Sequence, residues 1–222
     1  MKFTLAAILF VIPVAAHAET LDAILARMDR AARNFQSVTA DFSQVDYTAV
    51  LKDTSTPVHG ALQIKRNKGT VSAILNFEKP DDHTILIKGG KAYMYYPKAK
   101  HEDIYSTGKY GALVDQYVLL AFGTSGAELH KNFQIKLGGT ENVAGKPATR
   151  IELVPTGTES KKVISKVELW ILEGQSNAIQ EKVTKDSDDY YLATYSNVKY
   201  VKVDDSVFNL KVPPGTAVVT QH

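Results

Sequence analysis

One amphipathic helix followed by a long run of period-two alternation is the feature that most constrains this fold. Apolar residues first recur at three- and four-residue spacing, which forms one stripe on a helix over Leu21–Phe35. Thr20 suits the N-cap of this helix, and Asp22 suits the positive end of its dipole. From Val38 onward, apolar and polar residues alternate, as they do in strands that bury one face. The chain is therefore predicted to be mainly β, with one helix at its start.

The alternating stretch divides into about ten strands with short connections. Asn67–Gly69 and Gly89–Gly90 suit hairpin turns, so the first strands predict an antiparallel meander. The sequence leaves open whether Trp170 or its neighbours Val167, Leu169 and Ile171 face inward. The predicted strands are Val38–Leu51, His59–Arg66, Val71–Phe77, His83–Lys88, Lys91–Tyr96, Phe133–Leu137, Ala148–Val154, Val163–Leu172, Ile179–Lys185, Tyr190–Val201 and Phe208–Lys211.

A helical insert interrupts the strands in the middle of the chain. Gly111–Phe122 returns to helical spacing and is apolar nearly all round, and Ala127–Asn132 is predicted to be a second short helix. No shift in composition marks a boundary, so we expect one domain over residues 19–222. The predicted fold class is α+β, mainly β.

The first eighteen residues have the features of a cleavable signal peptide. Lys2 precedes an apolar run over Phe3–Ala16, and Ala16-His17-Ala18 has the small-x-small pattern of a cleavage site. We expect cleavage after Ala18 and export to the periplasm. Since the chain contains no cysteine, a lipid anchor at the cleavage site is excluded, and a soluble mature protein is expected.

Composition and spacing argue against several kinds of chemistry. Without cysteine, disulfides, thiolate nucleophiles and zinc–thiolate sites are excluded, and the six histidines form no metal-binding pair. Asp186, Asp188 and Asp189 lack the glycine and the distal glutamate of a calcium loop. The formal net charge of +2 does not suit a protein that binds nucleic acid. We expect no catalytic residues, no metal, no cofactor and no nucleic-acid partner.

One strand carries a charge where its alternation predicts an apolar residue. In Gly60–Arg66 (GALQIKR), Leu62 and Ile64 share one face, and Arg66 follows on that same face. An arginine at a strand end often extends to solvent, as we expect of Lys65. The alternative is that Arg66 points into the interior and holds a specific partner there.

The order of these segments resembles the periplasmic lipoprotein carriers of the LolA family. The resemblance covers nearly all of the chain after the signal peptide. It rests on Ser37–Gln44 (SVTADFSQ), Gly60–Arg66 (GALQIKR), Phe77–Asp81 (FEKPD), Ile85–Ile87, Gly90–Lys91, Tyr93–Pro97 (YMYYP) and Phe208–Gly215 (FNLKVPPG).

This resemblance implies an incomplete antiparallel β-barrel of about eleven strands, with helices across the opening as a lid. The cavity of such a protein receives the acyl chains of a lipoprotein, and an inward arginine bonds the lid when the cavity is empty. Arg66 occupies the matching position and is predicted to gate the lid. The predicted lining is Leu62, Ile64, Ala73, Leu75 and Phe77 from the sheet and Leu113, Val114, Val118, Leu119 and Phe122 from the lid.

The function that the resemblance implies is transport of lipoproteins from the inner to the outer membrane. The implied partners are an inner-membrane lipoprotein-releasing ABC transporter complex and an outer-membrane lipoprotein receptor, and a monomer is expected. The sequence departs from the family at Asn67, where a proline is usual, and at Ala73 and Leu75, where aromatic residues are usual. These departures keep two alternatives open on the same fold: a carrier of another lipid or glycolipid, and a lipoprotein-sensing domain. A structural β-domain with a filled core is a third.

Overall fold

The computed structural model describes residues 19–221. The predicted signal peptide, residues 1–18, lies outside the described residues. The described residues form four α-helices: α1 Leu21–Asn34, α2 Gly111–Leu119, α3 Gly126–Asn132 and α4 Thr158–Lys161. Two 3₁₀ turns span Gly108–Tyr110 and Asp205–Phe208. Within the described residues, no helix combines the length and the apolar character needed to cross a membrane.

Within residues 19–221, thirteen strands form one continuous sheet. They are β1 Ser37–Thr48, β2 Asp53–Thr54, β3 Val58–Asn67, β4 Thr70–Phe77, β5 His83–Lys88, β6 Lys91–Tyr96, β7 His101–Ser106, β8 Phe133–Val143, β9 Lys146–Pro155, β10 Ile164–Leu172, β11 Ala178–Lys185, β12 Tyr190–Lys199 and β13 Ala217–Gln221. Their spatial order is β13-β7-β6-β5-β4-β3-β1-β12-β11-β10-β9-β8, and β2 pairs with β1. All pairs are antiparallel except β13 with β7, which is parallel.

The sheet is open, as an incomplete barrel requires. Its two edge strands, β13 and β8, do not pair with each other in the described part of the chain. The predicted fold class, a mainly β incomplete barrel with helices covering it, is therefore confirmed. The strand number is higher than predicted because β2, β7 and β13 were not expected.

Two tight turns make the predicted hairpins possible. Lys68 and Gly69 have φ values of 47° and 85°, and Gly89 and Gly90 have φ values of 60° and 73°. Two successive positive φ values are characteristic of the type I′ turn, whose twist matches that of the flanking strands. These turns fix the register of β3 with β4 and of β5 with β6.

The helices α1, α2 and α3 pack on one face of the sheet, which we call the inner face. Thr20 caps α1 by accepting a hydrogen bond from the Ala23 N–H at 3.3 Å. The apolar stripe of α1 is buried, with Ile24 and Met28 at its centre. It joins the inner-face residues of the strands and of α3 in one hydrophobic core. Val167, Leu169 and Ile171 lie in this core, whereas Trp170 packs on the opposite, outer face.

The predicted strand Phe208–Lys211 is wrong. Asp205–Phe208 is a 3₁₀ turn, and Phe208 packs with Val203 on the outer face, against Ile74 and Leu86 of neighbouring strands. The Phe208 ring is removed from water by packing on the sheet surface, so the segment does not need to pair as a further strand. The chain then continues to β13, which pairs beside β7.

Lys65 does not simply extend to solvent, which corrects a second expectation. Its ammonium donates to the Val203 carbonyl at 3.0 Å and forms an ion pair with Asp205 at 2.7 Å. Lys88, two strands away, donates to the Phe208 carbonyl at 3.0 Å and to the Asn209 side chain at 3.0 Å. These bonds hold the C-terminal segment against the outer face.

Candidate functional site

The inner face encloses a largely apolar cavity of about 600 Å³ beneath α2. This volume lies within the range of roughly 300–1,000 Å³ that is typical of ligand sites. The lining residues come from strands of both halves of the sheet and from α2. They are Phe42, Gln44, Leu62, Ile64, Leu75, Phe77, Ile85, Ile87, Tyr110, Leu113, Val114, Tyr117, Val118, Phe122, Val163, Ile164, Glu181, Tyr191, Ala193 and Tyr195.

The β3–β4 hairpin supplies one wall of the cavity. Leu62 lies opposite Leu75, and Ile64 lies opposite Ala73, so the apolar positions of both strands share the inner face. Gly60 lies opposite Phe77 and beneath the Phe42 ring, where an added Cβ would lie 2.6 Å from that ring. Because Gly60 has no side chain, Phe42 and Phe77 meet edge to face at 5.0 Å.

Most of the predicted lining residues border this cavity. Leu62, Ile64, Leu75 and Phe77 do so from the sheet, and Leu113, Val114, Val118 and Phe122 do so from the helical insert. Ala73 and Leu119 do not border it. Ala73 is fully buried in the core and carries only one methyl group, and Leu119, the last residue of α2, is packed in the same core. Whether the cavity holds lipid stays a prediction.

Two exposed residues mark the place where the cavity meets solvent. Tyr110, just before α2, is 39% exposed, and Val163, just before β10, is 56% exposed. The Tyr110 hydroxyl donates to Glu159 of α4 at 3.1 Å. This bond connects the helical insert to the opposite half of the sheet at the cavity mouth.

Arg66 lies on the inner face and contacts the segment that follows α2. Its Nη2 donates to the Gly123 carbonyl at 2.9 Å, and its guanidinium carbon lies 5.5 Å from the centre of the Phe35 ring. Gly123 packs tightly on that ring, since an added Cβ would lie 2.9 Å from it. Arg66 therefore connects β3, the end of α1 and the segment after α2.

Three consecutive carbonyls of this segment accept hydrogen bonds, two from strand residues and one from Tyr200, which follows β12. The Ala121 carbonyl accepts from the Ala178 N–H at 2.8 Å, and the Phe122 carbonyl accepts from the Tyr200 hydroxyl at 3.3 Å. The Gly123 carbonyl accepts from Arg66. We call Ala121–Gly123 with these three bonds the latch. Arg66 thus holds the Gly123 carbonyl, and Ala178 and Tyr200 hold the two carbonyls that precede it.

Opposite the apolar wall, a glutamate and three tyrosines from α2, β11 and β12 form a polar part of the lining. Glu181 is only 4% exposed, and its Oε2 accepts from the Tyr195 hydroxyl at 2.8 Å. Burial raises the pKa of Glu181 to about 7, although the bond from Tyr195 opposes that rise. Burial and the nearby Glu181 carboxylate raise the pKa of Tyr117 to about 12 and those of Tyr191 and Tyr195 well above 10.

The described residues contain no cluster of three histidine, aspartate or glutamate side chains placed to hold a metal ion. The arrangement instead suits non-covalent binding of an elongated apolar group. The cavity offers a ligand an apolar wall, one buried carboxyl group and phenolic hydroxyls.

No family model and no curated protein matches the sequence. Solved structures do match the fold. An uncharacterized conserved protein from Thermus thermophilus aligns with a TM-score of 0.54 and 11% identity, over 90% of this chain and 98% of that chain. MucB aligns with a TM-score of 0.50 and 13% identity, over 89% of this chain and 64% of that chain. At such identities the likeness shows a shared fold.

An open antiparallel sheet with helices across its inner face is the architecture that the sequence resemblance implies. The chain therefore has the incomplete-barrel architecture that the sequence resemblance predicted. A LolA superfamily protein from Nitrosomonas europaea aligns with a TM-score of 0.44 and 14% identity, over 87% of this chain and 99% of that chain.

The polar part of the lining was not predicted from the sequence. In the strand Ile179–Lys185, Glu181 alternates in phase with Val183, which lies in the core. Arg66 was singled out because it is a charged residue on the apolar face of its strand. The same sequence signal marks Glu181 and could have identified it. Tyr191 and Tyr195 reach the inner face because they share alternation with the buried Ala193.

Proposed function

We propose that this protein is a periplasmic carrier that binds the acyl chains of lipoproteins and moves them from the inner membrane to the outer membrane. The observation that carries the proposal is the apolar cavity of about 600 Å³ beneath α2, whose neighbouring segment is held to the sheet by the latch. A cavity of this kind provides apolar surface for a hydrocarbon chain, and the latch provides bonds that entry of the chain would break.

The energetics explain why a carrier of this kind is needed. Each buried CH₂ contributes roughly 0.8 kcal/mol, so an acyl chain does not leave a bilayer unless other apolar surface covers it. If chain entry opens the latch, the cost of its hydrogen bonds offsets part of that gain. The cargo is then held less tightly than apolar area alone predicts, which favours delivery to an acceptor without ATP.

The proposed route defines the partners. An inner-membrane lipoprotein-releasing ABC transporter complex would load the carrier, and an outer-membrane lipoprotein receptor would unload it. We further propose that the carrier is exported by a cleavable signal peptide over residues 1–18, and that residues 19–222 form one domain that works as a monomer. The continuous sheet, which contains strands from both ends of the described chain, supports the single domain.

The direct test is the identity of whatever co-purifies with the protein from its own periplasm, read by native mass spectrometry after lipid extraction. Bound diacylglyceryl-modified protein supports the proposal. A bound free lipid or glycolipid would favour the alternative cargo on the same fold. No bound lipid, together with no uptake of an apolar fluorescent dye, would contradict a carrier function.

Arg66→Leu is predicted to slow the release of a loaded acylated peptide to acceptor vesicles by about tenfold to a hundredfold. The reason is that a hydrogen bond to a charged group contributes about 1.5–3 kcal/mol, and the variant no longer regains that bond when cargo leaves. Release is measured by stopped-flow transfer of a fluorescent acyl peptide.

The matched control for this variant is Arg33→Leu, an exposed position in the last turn of α1. It removes the same charge without touching the latch, so its release rate should equal that of the parent. Equal release by Arg66→Leu and the parent would show that the guanidinium does not oppose loading.

Ala193→Phe is predicted to weaken acyl-chain binding about fiftyfold. Ala193 lies on β12 between Glu181 and Gln44, where its small side chain borders the cavity. A phenyl ring there would displace about three methylene groups at roughly 0.8 kcal/mol each. Leu192→Phe, on the outer face of the same strand, is the control that should bind normally. Unchanged binding by Ala193→Phe would place the acyl chain elsewhere.

A further inference from the structure

Glu181 has an unusual position for a carboxyl group, because it is buried in the lining of a largely apolar cavity. It lies at the middle of β11, between Leu169 of β10 and Ala193 of β12, and borders the cavity. Only 4% of the residue is exposed. Its Oε2 accepts from the Tyr195 hydroxyl at 2.8 Å, whereas its buried Oε1 has no hydrogen-bond partner in the part of the chain that the structure describes.

The titratable groups around this carboxyl come from three elements. Tyr191 and Tyr195 face it from β12, and Tyr117 faces it from α2. Asp46 of β1 lies beyond Tyr191. Among residues 19–221, no lysine or arginine forms an ion pair with Glu181. The carboxyl group is therefore not neutralised by a cation.

A buried acceptor without a partner is costly, and an aliphatic residue would avoid that cost. The flanking inner-face residues Leu169 and Ala193 show that apolar side chains fit this part of the sheet. The free Oε1 therefore points to a ligand group that completes its hydrogen bonding.

Resting on the proposed carrier function, we propose that the cavity selects acyl lipids with a hydrogen-bond donor, a hydroxyl or an amide N–H, which bonds Glu181 Oε1. The hydrocarbon chain would lie along the apolar wall formed by Leu62, Leu75 and their neighbours. A hydroxyl or an amide has both a donor and an acceptor, so it pairs with an ionised or a protonated carboxyl. An ester has only acceptors, so it cannot pair with the ionised form.

The test compares two ligands of equal length, N-methyldecanamide and methyl decanoate, by isothermal titration calorimetry at pH 8. The parent protein is expected to bind the amide about tenfold more tightly, the ratio that one hydrogen bond in a buried site supplies. In Glu181→Leu, this ratio should fall to about one while the ester binds at least as tightly as it does to the parent. Circular dichroism confirms that the variant is folded.

The outcomes separate this inference from the function on which it rests. If the parent protein binds the amide and the ester equally tightly, donor selection is overturned, and no variant is needed to show it. The ester still binds in that case if the carrier function is right. A tenfold ratio that persists in Glu181→Leu assigns selection to another group and also overturns the inference. If neither ligand binds the parent, the carrier function itself is contradicted.

Discussion

Replacing Phe208 by alanine is expected to lower the free energy of unfolding by about 3–5 kcal/mol, the range for truncating a buried phenylalanine. The ring is 2% exposed and packs in a separate cluster on the outer face, with Ile74, Leu86 and Val203. Alanine would leave a cavity there, because the two strands beneath it belong to the continuous sheet and cannot move inward. Urea unfolding followed by tryptophan fluorescence measures the loss.

Two hydrogen bonds beside Phe208 also help to hold the C-terminal segment on the sheet. Lys65 donates to the Val203 carbonyl before the 3₁₀ turn, and Lys88 donates to the Phe208 carbonyl at its last residue, so we expect both bonds to weaken when the ring is removed. Val218→Ala on β13 is the control, since Val218 is 53% exposed and should change stability by about 0.5 kcal/mol or less. A loss below about 1 kcal/mol in Phe208→Ala would mean that the C-terminal segment contributes little to stability.

The period-two pattern predicted most of the sheet because one face of each central strand is buried by α1–α3. The strands β3, β4, β5 and β6 lie within a residue or two of their predicted bounds. The pattern fails at β7 (HEDIYS), whose sequence is mostly polar and whose pairing depends on β6 and β13 on either side. Such pairing is set by residues distant in sequence, which local alternation does not encode.

The C-terminal segment shows a second limit of local patterns. Phe208 and Leu210 alternate as strand residues do, but both pack on the outer face of the sheet. The same apolar spacing suits a strand or a segment that lies across a strand. The outer-face residues Ile74 and Leu86, which the C-terminal segment buries, decide between the two. In the sequence, these two residues differ from their neighbours only in alternation. Ile74 points to the face opposite Ala73 and Leu75, and Leu86 points to the face opposite Ile85 and Ile87.

The helical insert shows that a helix that is apolar on all sides can line a cavity as well as lie in a core. Gly111–Leu119 is apolar nearly all round, which normally indicates a fully buried helix. Here Leu113 and Val118 border the cavity, while Leu119 and Leu120 lie in the core. The sequence predicted the insert and its role in the lining, but the three bonds of the latch depend on backbone carbonyls, which no residue type marks.

Replacing Glu181 by glutamine is expected to remove a pH dependence of about 3 kcal/mol from the stability of this protein. The pKa of Glu181 rises from an ordinary value of 4.5 to about 7 in the folded state because burial disfavours the charged carboxylate. A rise of this size corresponds to about 3 kcal/mol, at roughly 1.4 kcal/mol per pH unit.

The sign follows from which state binds the proton more tightly. Between pH 4.5 and about 7 the folded protein keeps the Glu181 proton while the unfolded chain loses it, so stability falls as pH rises. The contribution of this proton to the free energy of unfolding is complete below pH 4.5 and is lost above about pH 7. Glu181→Gln has no proton to lose there. Its free energy of unfolding relative to the parent should therefore rise by about 3 kcal/mol from pH 4.5 to pH 8.

Tyr195→Phe is the companion variant that distinguishes this cause from a general effect of pH. The Tyr195 hydroxyl donates to Glu181 at 2.8 Å and lowers the pKa of the carboxyl, so its removal should raise that pKa further. The fall in stability would then extend to a higher pH than in the parent, whereas Glu181→Gln removes this fall. Parallel curves of unfolding free energy against pH for all three proteins would contradict a buried, titrating Glu181, because burial in the cavity wall is what opposes its charge.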